Sequence, residues 1–179
     1  MFTHSLTVLT VLGIAGMLAV RAGAGEGPNL GRDVTEAEIA GWDISAPPDG
    51  NGLPPGGGTV AGGASVYAAK CQSCHGEKGA GKPNDPLVGG QSTLAGPTPV
   101  RTIGSYWPYA TTVFDYVRRA MPYQQSQSLT NDEVYAVTAY LLHLNGIIAE
   151  SEVMNARTLP QVKMPNRDNF IRAYPPSSK

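Results

Sequence analysis

The sequence predicts a small all-α domain, three to four helices around one embedded group, with an extended N-terminal arm and a C-terminal tail. Three observations lead there. Apolar residues recur at helical spacing in separate stretches of the chain. Glycine (22) and proline (15) bunch between and beside those stretches, which must therefore be joined by loops and extended segments. Aromatic residues make up only 7% of the chain, thin for a self-sufficient core, so an embedded planar group would supply much of the missing apolar surface. A length of 179 residues allows one domain with extensions. A net charge of −1 and a pI near 6.3 leave no electrostatic footprint for nucleic acid or an anionic membrane.

The first element is an address. Leu6 to Val20 is apolar except for Thr7 and Thr10, and Ala22-Gly23-Ala24 follows. Small residues three and one before the scissile bond fit cleavage after Ala24, making residues 1–24 a signal peptide and the mature chain periplasmic. The run falls short of the roughly 20 residues that span a bilayer as a helix. Met1 to Ser5 lacks the Lys or Arg usual before such a run, which keeps a retained anchor as the alternative. No later segment is apolar enough to span.

Residues 25–58 read as an arm. Thr35 and Glu38 are spaced as a capping box for one helical turn. Ala46 to Gly58 (APPDGNGLPPGGG) is turn chemistry throughout and can form no core of its own.

The compact domain spans 59–146. Ala61 to Cys71 reads as a helix with Val66 and Tyr67 inward, and Gly62 and Gly63 permit close approach of another helix. Residues 76–104 are loop. Thr111 to Ala120 carries Val113, Phe114 and Val117 at helical spacing, Thr112 and Asp115 resemble a cap, and Pro122 forbids continuation. The last helix is the clearest: Thr130 caps, Glu133 closes the box, and Val134, Val137, Tyr140, Leu141 and Leu144 form a stripe up to Gly146. Residues 147–179 form a Pro-punctuated tail with one short helix expected around Glu150 to Ala156.

The chemistry sits at the end of the first domain helix. Cys71 and Cys74 are the only cysteines, and an exported pair would ordinarily read as a disulfide. His75 directly after Cys74 changes the reading, because C-x-x-C-H is the attachment signature of haem c. Two thioether bonds need two cysteines one helical turn apart, and the next histidine then lies under the iron. A sixth ligand comes from Met121, Met154, Met164 or His143. Met121 has the favoured placement: it ends one helix a short loop before the last, and Pro122 stiffens that loop. Met154 and Met164 otherwise pack the tail, and His143 is a helix-face residue. Trp107 and Tyr109 can donate hydrogen bonds to a haem propionate and Arg101 can pair with one, although each serves equally well as cover. Arg118 and Arg119 read as a solvated or partner-facing pair.

Cys71 to His75, Met121-Pro122 and the capped final helix resemble the class I c-type cytochromes over 59–146, which implies the small cytochrome c fold around one haem. A narrower resemblance reaches outside that core. Trp42-Asp43-Ile44 and Pro48 to Gly56 are similar to the haem subunit of Sox-type sulfane dehydrogenase. So are Thr102 to Thr112 and Phe114 to Pro122, and the cytochrome subunits of periplasmic sulfite dehydrogenases share much of the pattern. The resemblance implies electron transfer from a molybdenum-containing dehydrogenase subunit to another cytochrome c. The Sox subunit carries a second haem domain whereas this chain has a single C-x-x-C-H, which fits a sulfite dehydrogenase subunit or a stand-alone carrier better.

Two other classes compete. A haem enzyme acting on peroxide or a sulfur compound needs an exchangeable or cysteine ligand and distal acid–base groups, and the chain has neither a spare cysteine nor a distal-looking histidine. A haem sensor would carry a signalling domain, and none is attached. Ordering the arm and tail costs about 1–2 kcal/mol per residue in backbone entropy. Their aromatics, Trp42, Phe170 and Tyr174 among them, are therefore expected to wrap the domain or dock the molybdenum subunit.

Overall fold

The structure, a computed structural model, describes residues 30–171 and 173–174. The expected signal peptide lies outside the described residues. The chain divides into two units, Met1–Glu38 and Ile39–Lys179. Within the described part of the first, Thr35 and Glu38 form the expected reciprocal cap, with the Glu38 amide donating to Thr35 Oγ1 and the Thr35 amide to Glu38 Oε2. The Arg32 guanidinium beside Glu38 holds that carboxyl down at about 2. The cap starts helix α1, Glu36–Trp42, which runs on into the second unit and is longer than the single turn expected.

The second unit is organised by α5, Asn131–Leu144, which buries eight residues and packs against α2 (Val60–Lys70) and α4 (Ala110–Ala120). Thr130 and Glu133 make the expected capping box at its start. Its end comes at Asn145, with Gly146 in the left-handed region (φ 70°). Ring pairs join the helices: Tyr67 of α2 meets Tyr140 at 5.5 Å, and Phe114 of α4 meets Tyr135 at 4.4 Å. Such a pair adds about 0.5–1.5 kcal/mol to the area it buries, which matters where aromatics are few. On α4, Val113, Phe114 and Val117 form the buried face, as their spacing predicts.

Gly63 is what lets α2 lie so close to α5. A Cβ there would overlap the Ala136 carbonyl and press on the Tyr140 side chain. Gly62, one residue earlier, is less confined: a Cβ there would meet Thr59 Oγ1 at 3.3 Å and Ala136 Cβ at 3.8 Å. Tyr67 is buried as expected, whereas Val66 is half-buried.

Three expectations are corrected. The fold is helix-dominated but not all-α, because β1 (Gly57–Thr59) pairs antiparallel with β2 (Val153–Asn155), Gly58 opposite Met154. The short helix expected at Glu150 to Ala156 is therefore largely replaced by β2. Its local helix preference yields to a strand edge that lies against α5, where only glycine fits at 58 because a Cβ would strike the Ala136 backbone. The Thr112–Asp115 cap does not form either: α4 starts at Ala110, and Thr112 Oγ1 donates to the Tyr109 carbonyl at 2.8 Å.

The core draws on residues to either side of 59–146. Ala46 before it and Ile148, Met154, Leu159 and Met164 after it are all buried. Each fully buried aliphatic or thioether side chain contributes about 1.5–3 kcal/mol, so these segments add substantially to a small core. Among the described residues no helix is long and apolar enough to cross a membrane.

Substituting Gly63→Ala is expected to destabilise the fold by about 2 kcal/mol or more, because backbone must move. Gly62→Ala is expected to be near neutral, the tighter contact with Thr59 offset by about 0.5–1 kcal/mol of helix propensity. Denaturant midpoints of the two variants check this; equal effects would contradict the crossing geometry.

Candidate functional site

Helix α2 delivers the motif. Its last carbonyls take the Cys71 amide (to Tyr67, 2.9 Å), and the chain winds one further turn, α3, Gln72–His75. The Cys74 and His75 amides both donate to the Cys71 carbonyl, at 3.1 and 3.0 Å. This winding sets Cys71, Cys74 and His75 at i, i+3 and i+4, one face of a helical turn. Gly76 ends it at φ 74°, where a Cβ would overlap the Gly81 carbonyl, so glycine is required.

The loop that follows is built around the histidine. The Gly81 amide donates to the His75 carbonyl (2.8 Å) and the Asn84 amide to the Cys74 carbonyl (2.9 Å). His75 Nδ1 lies 3.2 Å from the Asp85 carbonyl. A carbonyl only accepts, so Nδ1 is the donor here, and in the neutral imidazole Nε2 is then the nitrogen available to a metal. From α2, the Tyr67 hydroxyl donates to the Gly76 carbonyl at 2.8 Å, and burial pushes that hydroxyl up to about 12.

The donor set suits haem c. Cys71 and Cys74 are not joined to each other by a disulfide. Burial first, and the neighbouring Cys74 second, push the Cys71 thiol up to about 11, so at neutral pH it is a thiol and not a thiolate. Among the described residues no cluster of three or more His, Cys, Asp or Glu could hold a bare metal ion. Half-buried apolar side chains rim the core, including Cys71, Leu87, Trp107, Met121, Leu129 and Tyr140.

Met121 caps the C-terminal end of α4, its amide donating to the Val117 carbonyl at 3.1 Å, and its side chain is half-buried against the core. Met154 and Met164 are buried, at 1% and 4% exposure, and the half-buried His143 directs Nδ1 to the Ile148 carbonyl at 3.3 Å. The three residues expected near a propionate have neighbours of their own. Arg101 stacks over Tyr106 at 5.7 Å, Trp107 meets Tyr116 edge-on at 5.7 Å, and Tyr109 lies beneath Arg167 of the tail at 5.1 Å.

Sequence reasoning missed several groups. Asn145 is buried and braces the loop, its amide nitrogen donating to the Leu87 carbonyl (3.2 Å) and its Oδ1 accepting the Gly89 amide (3.2 Å). An asparagine before a helix-stopping glycine looks like an ordinary cap, so nothing in the sequence marked it. Asp85 acts through its backbone, which has no sequence signature at all. Arg118, expected with Arg119 to be solvated or partner-facing, instead donates to the arm carbonyl of Ile44 (3.1 Å), while Arg119 is exposed and pairs with the Asp115 carboxylate (2.7 Å).

The comparisons with known proteins follow this geometry. The family model described as cytochrome c oxidase, cbb3-type, subunit III matches residues 58–141. The crystal structure of the sulfane dehydrogenase SoxCD from Paracoccus pantotrophus contains a chain that is 45% identical. The match has a TM-score of 0.77 and covers 80% of this chain and 71% of that one. No curated protein matches the sequence. With that identity and coverage, and with the family model lying over the C-x-x-C-H turn, the chain belongs to the cytochrome c family, whose group is haem c with iron.

Proposed function

We propose that the chain is a one-haem electron carrier of the periplasm. It accepts electrons from a molybdenum-containing sulfite or sulfane dehydrogenase subunit and passes them to another cytochrome c. The observation that carries this reading is the Cys71–His75 turn, with Nδ1 of His75 committed to the Asp85 carbonyl. The 45% identity to a SoxCD chain supports the sulfur-oxidation setting.

In this reading Cys71 and Cys74 would hold the haem through thioethers, and His75 and Met121 would be the two protein ligands. The haem, when bound, supplies the one-electron chemistry. The protein's part is orientation and exclusion. The Asp85 carbonyl fixes the tautomer and ring plane of His75, and the Tyr67 hydroxyl holds the turn that follows it. As a ligand, the Met121 thioether would raise the potential relative to a second histidine and would leave no open position for a substrate. Trp107, Tyr109 and Arg101 serve the propionate side, with Arg167 of the tail seated on Tyr109. Ala46 of the arm and Met154, Leu159 and Met164 of the tail pack into the core, and the exposed aromatics Trp42 (85%) and Tyr174 (85%) are available to a partner subunit.

The mature protein should exceed the mass of the chain from Gly25 by one haem, and Cys71→Ala or Cys74→Ala should each impair stable maturation. An unmodified chain with a Cys71–Cys74 disulfide would end the reading. Met121→Ala should abolish the methionine–iron charge-transfer band and lower the potential by at least about 60 mV, a tenfold change for one electron. Met164→Ala should leave both nearly unchanged.

In the haem-free chain the exposed Cys74 should alkylate first. Cys71 should follow slowly at mildly alkaline pH, its thiolate about a hundredfold scarcer than that of a free cysteine. A raised acid pKa makes the neutral thiol the favoured folded form. Its contribution to stability is thus full below the ordinary thiol range and is lost as pH rises toward about 11. Equal alkylation rates would contradict the burial of Cys71.

A further inference from the structure

Between residues 44 and 57 the polar contacts that hold the arm are made by its backbone, and the groups that meet it come from α4 and α5. The Arg118 guanidinium donates to the Ile44 carbonyl at 3.1 Å, and the Ala46 amide donates to Asp115 Oδ1 at 2.8 Å. Thr111 Oγ1 reaches the Pro48 carbonyl at 3.4 Å. From α5, the Tyr135 hydroxyl donates to the Pro54 carbonyl at 2.8 Å, and the Gly57 amide donates to Asp132 Oδ1 at 2.8 Å. Ala46 itself is inserted into the core at 3% exposure.

Two features single out Asp115. It lies on the last two turns of the helix that ends at Met121, and it is the junction of two interactions. The same carboxylate that accepts the Ala46 amide also takes the Arg119 guanidinium through Nε at 3.0 Å and Nη2 at 2.7 Å. Arg119 thereby fixes the carboxylate in the orientation that meets the arm. Arg118, on the adjacent position, grips the arm two residues earlier.

We propose that Asp115, oriented by Arg119 and assisted by Arg118, latches the arm across α4 and so holds the Met121 end of that helix against the haem. Asp115 is a positioning residue, acting on the ligand through the helix that carries it. This rests on Met121 being the axial ligand. A thioether is a weak ligand, and its bond persists only if the loop bearing it is prevented from swinging away. Loosening the latch raises the fraction of molecules in which the sixth position is open, and an added ligand then binds more tightly in proportion to that fraction.

The test is a spectral titration of the ferric holoprotein with imidazole. Asp115→Ala should tighten apparent imidazole binding about tenfold, the effect of losing a charge-assisted hydrogen bond. Asp115→Asn keeps an oxygen for the Ala46 amide and should remain within about threefold of the native protein. Arg118→Met, which spares Asp115, should shift affinity in the same direction and serves if the alanine variant loads haem poorly. Native affinity in Asp115→Ala, or in Arg118→Met where that variant stands in, overturns the latch. So does tightening in Asp115→Asn equal to that in Asp115→Ala. Met121→Ala separates the two layers. If it binds imidazole far more tightly while Asp115→Ala does not, the latch fails and the ligand reading stands. If it binds no more tightly than the native protein, both fail.

Discussion

The crossing of α2 over α5 is the constraint on which the rest of this structure depends. Because Gly63 lacks a side chain, α2 can rest on the backbone of Ala136, and Gly58 lets β1 do the same one step earlier. With α2 fixed there, Tyr67 is buried against Tyr140, and the helix end that becomes Cys71 has one position relative to the core. The motif turn and the loop that orients His75 are continuations of that helix. A shift at the crossing would therefore be transmitted to the Cys71–His75 turn.

Polar atoms then do much of what aromatics do in larger cores. The loop from 87 to 105 is tied by Asn145 to the Leu87 carbonyl and the Gly89 amide, and by Thr102 Oγ1 to the Gly89 carbonyl at 2.6 Å. The tail is tied by Asn166, whose amide nitrogen donates to the Tyr106 carbonyl at 2.9 Å. Buried side chains that satisfy backbone groups in this way convert Gly- and Pro-rich segments into defined walls. The segments flanking 59–146 belong to this scheme, since the arm contributes Ala46 and the tail Met154, Leu159 and Met164 to the common core.

What could be read from the sequence was local. The Thr130–Glu133 box, the Gly146 stop and the C-x-x-C-H turn each lie within a few residues, so spacing alone reveals them. What could not be read was pairing across the chain. Nothing near Val153 announces that its strand partner is Thr59, and a run such as Glu150 to Ala156 looks helical until that edge is supplied. Thr112 and Asp115 have the spacing of a cap, but the helix begins at Ala110, which frees Asp115 for the arm. The same blindness hid the partner of Arg118, the carbonyl of Ile44, which lies elsewhere in the fold and carries no signature.

The central claim is that the haem sits between His75 and Met121. Proton NMR of the ferrous protein with labelled methionine methyl groups tests it most directly, because the haem ring current displaces the methyl of an axial methionine far upfield of all others. The expected spectrum has one such methyl, present in the native protein and in Met164→Ala and missing from Met121→Ala. An upfield methyl that survives in Met121→Ala, or none at all in the native protein, would contradict the claim.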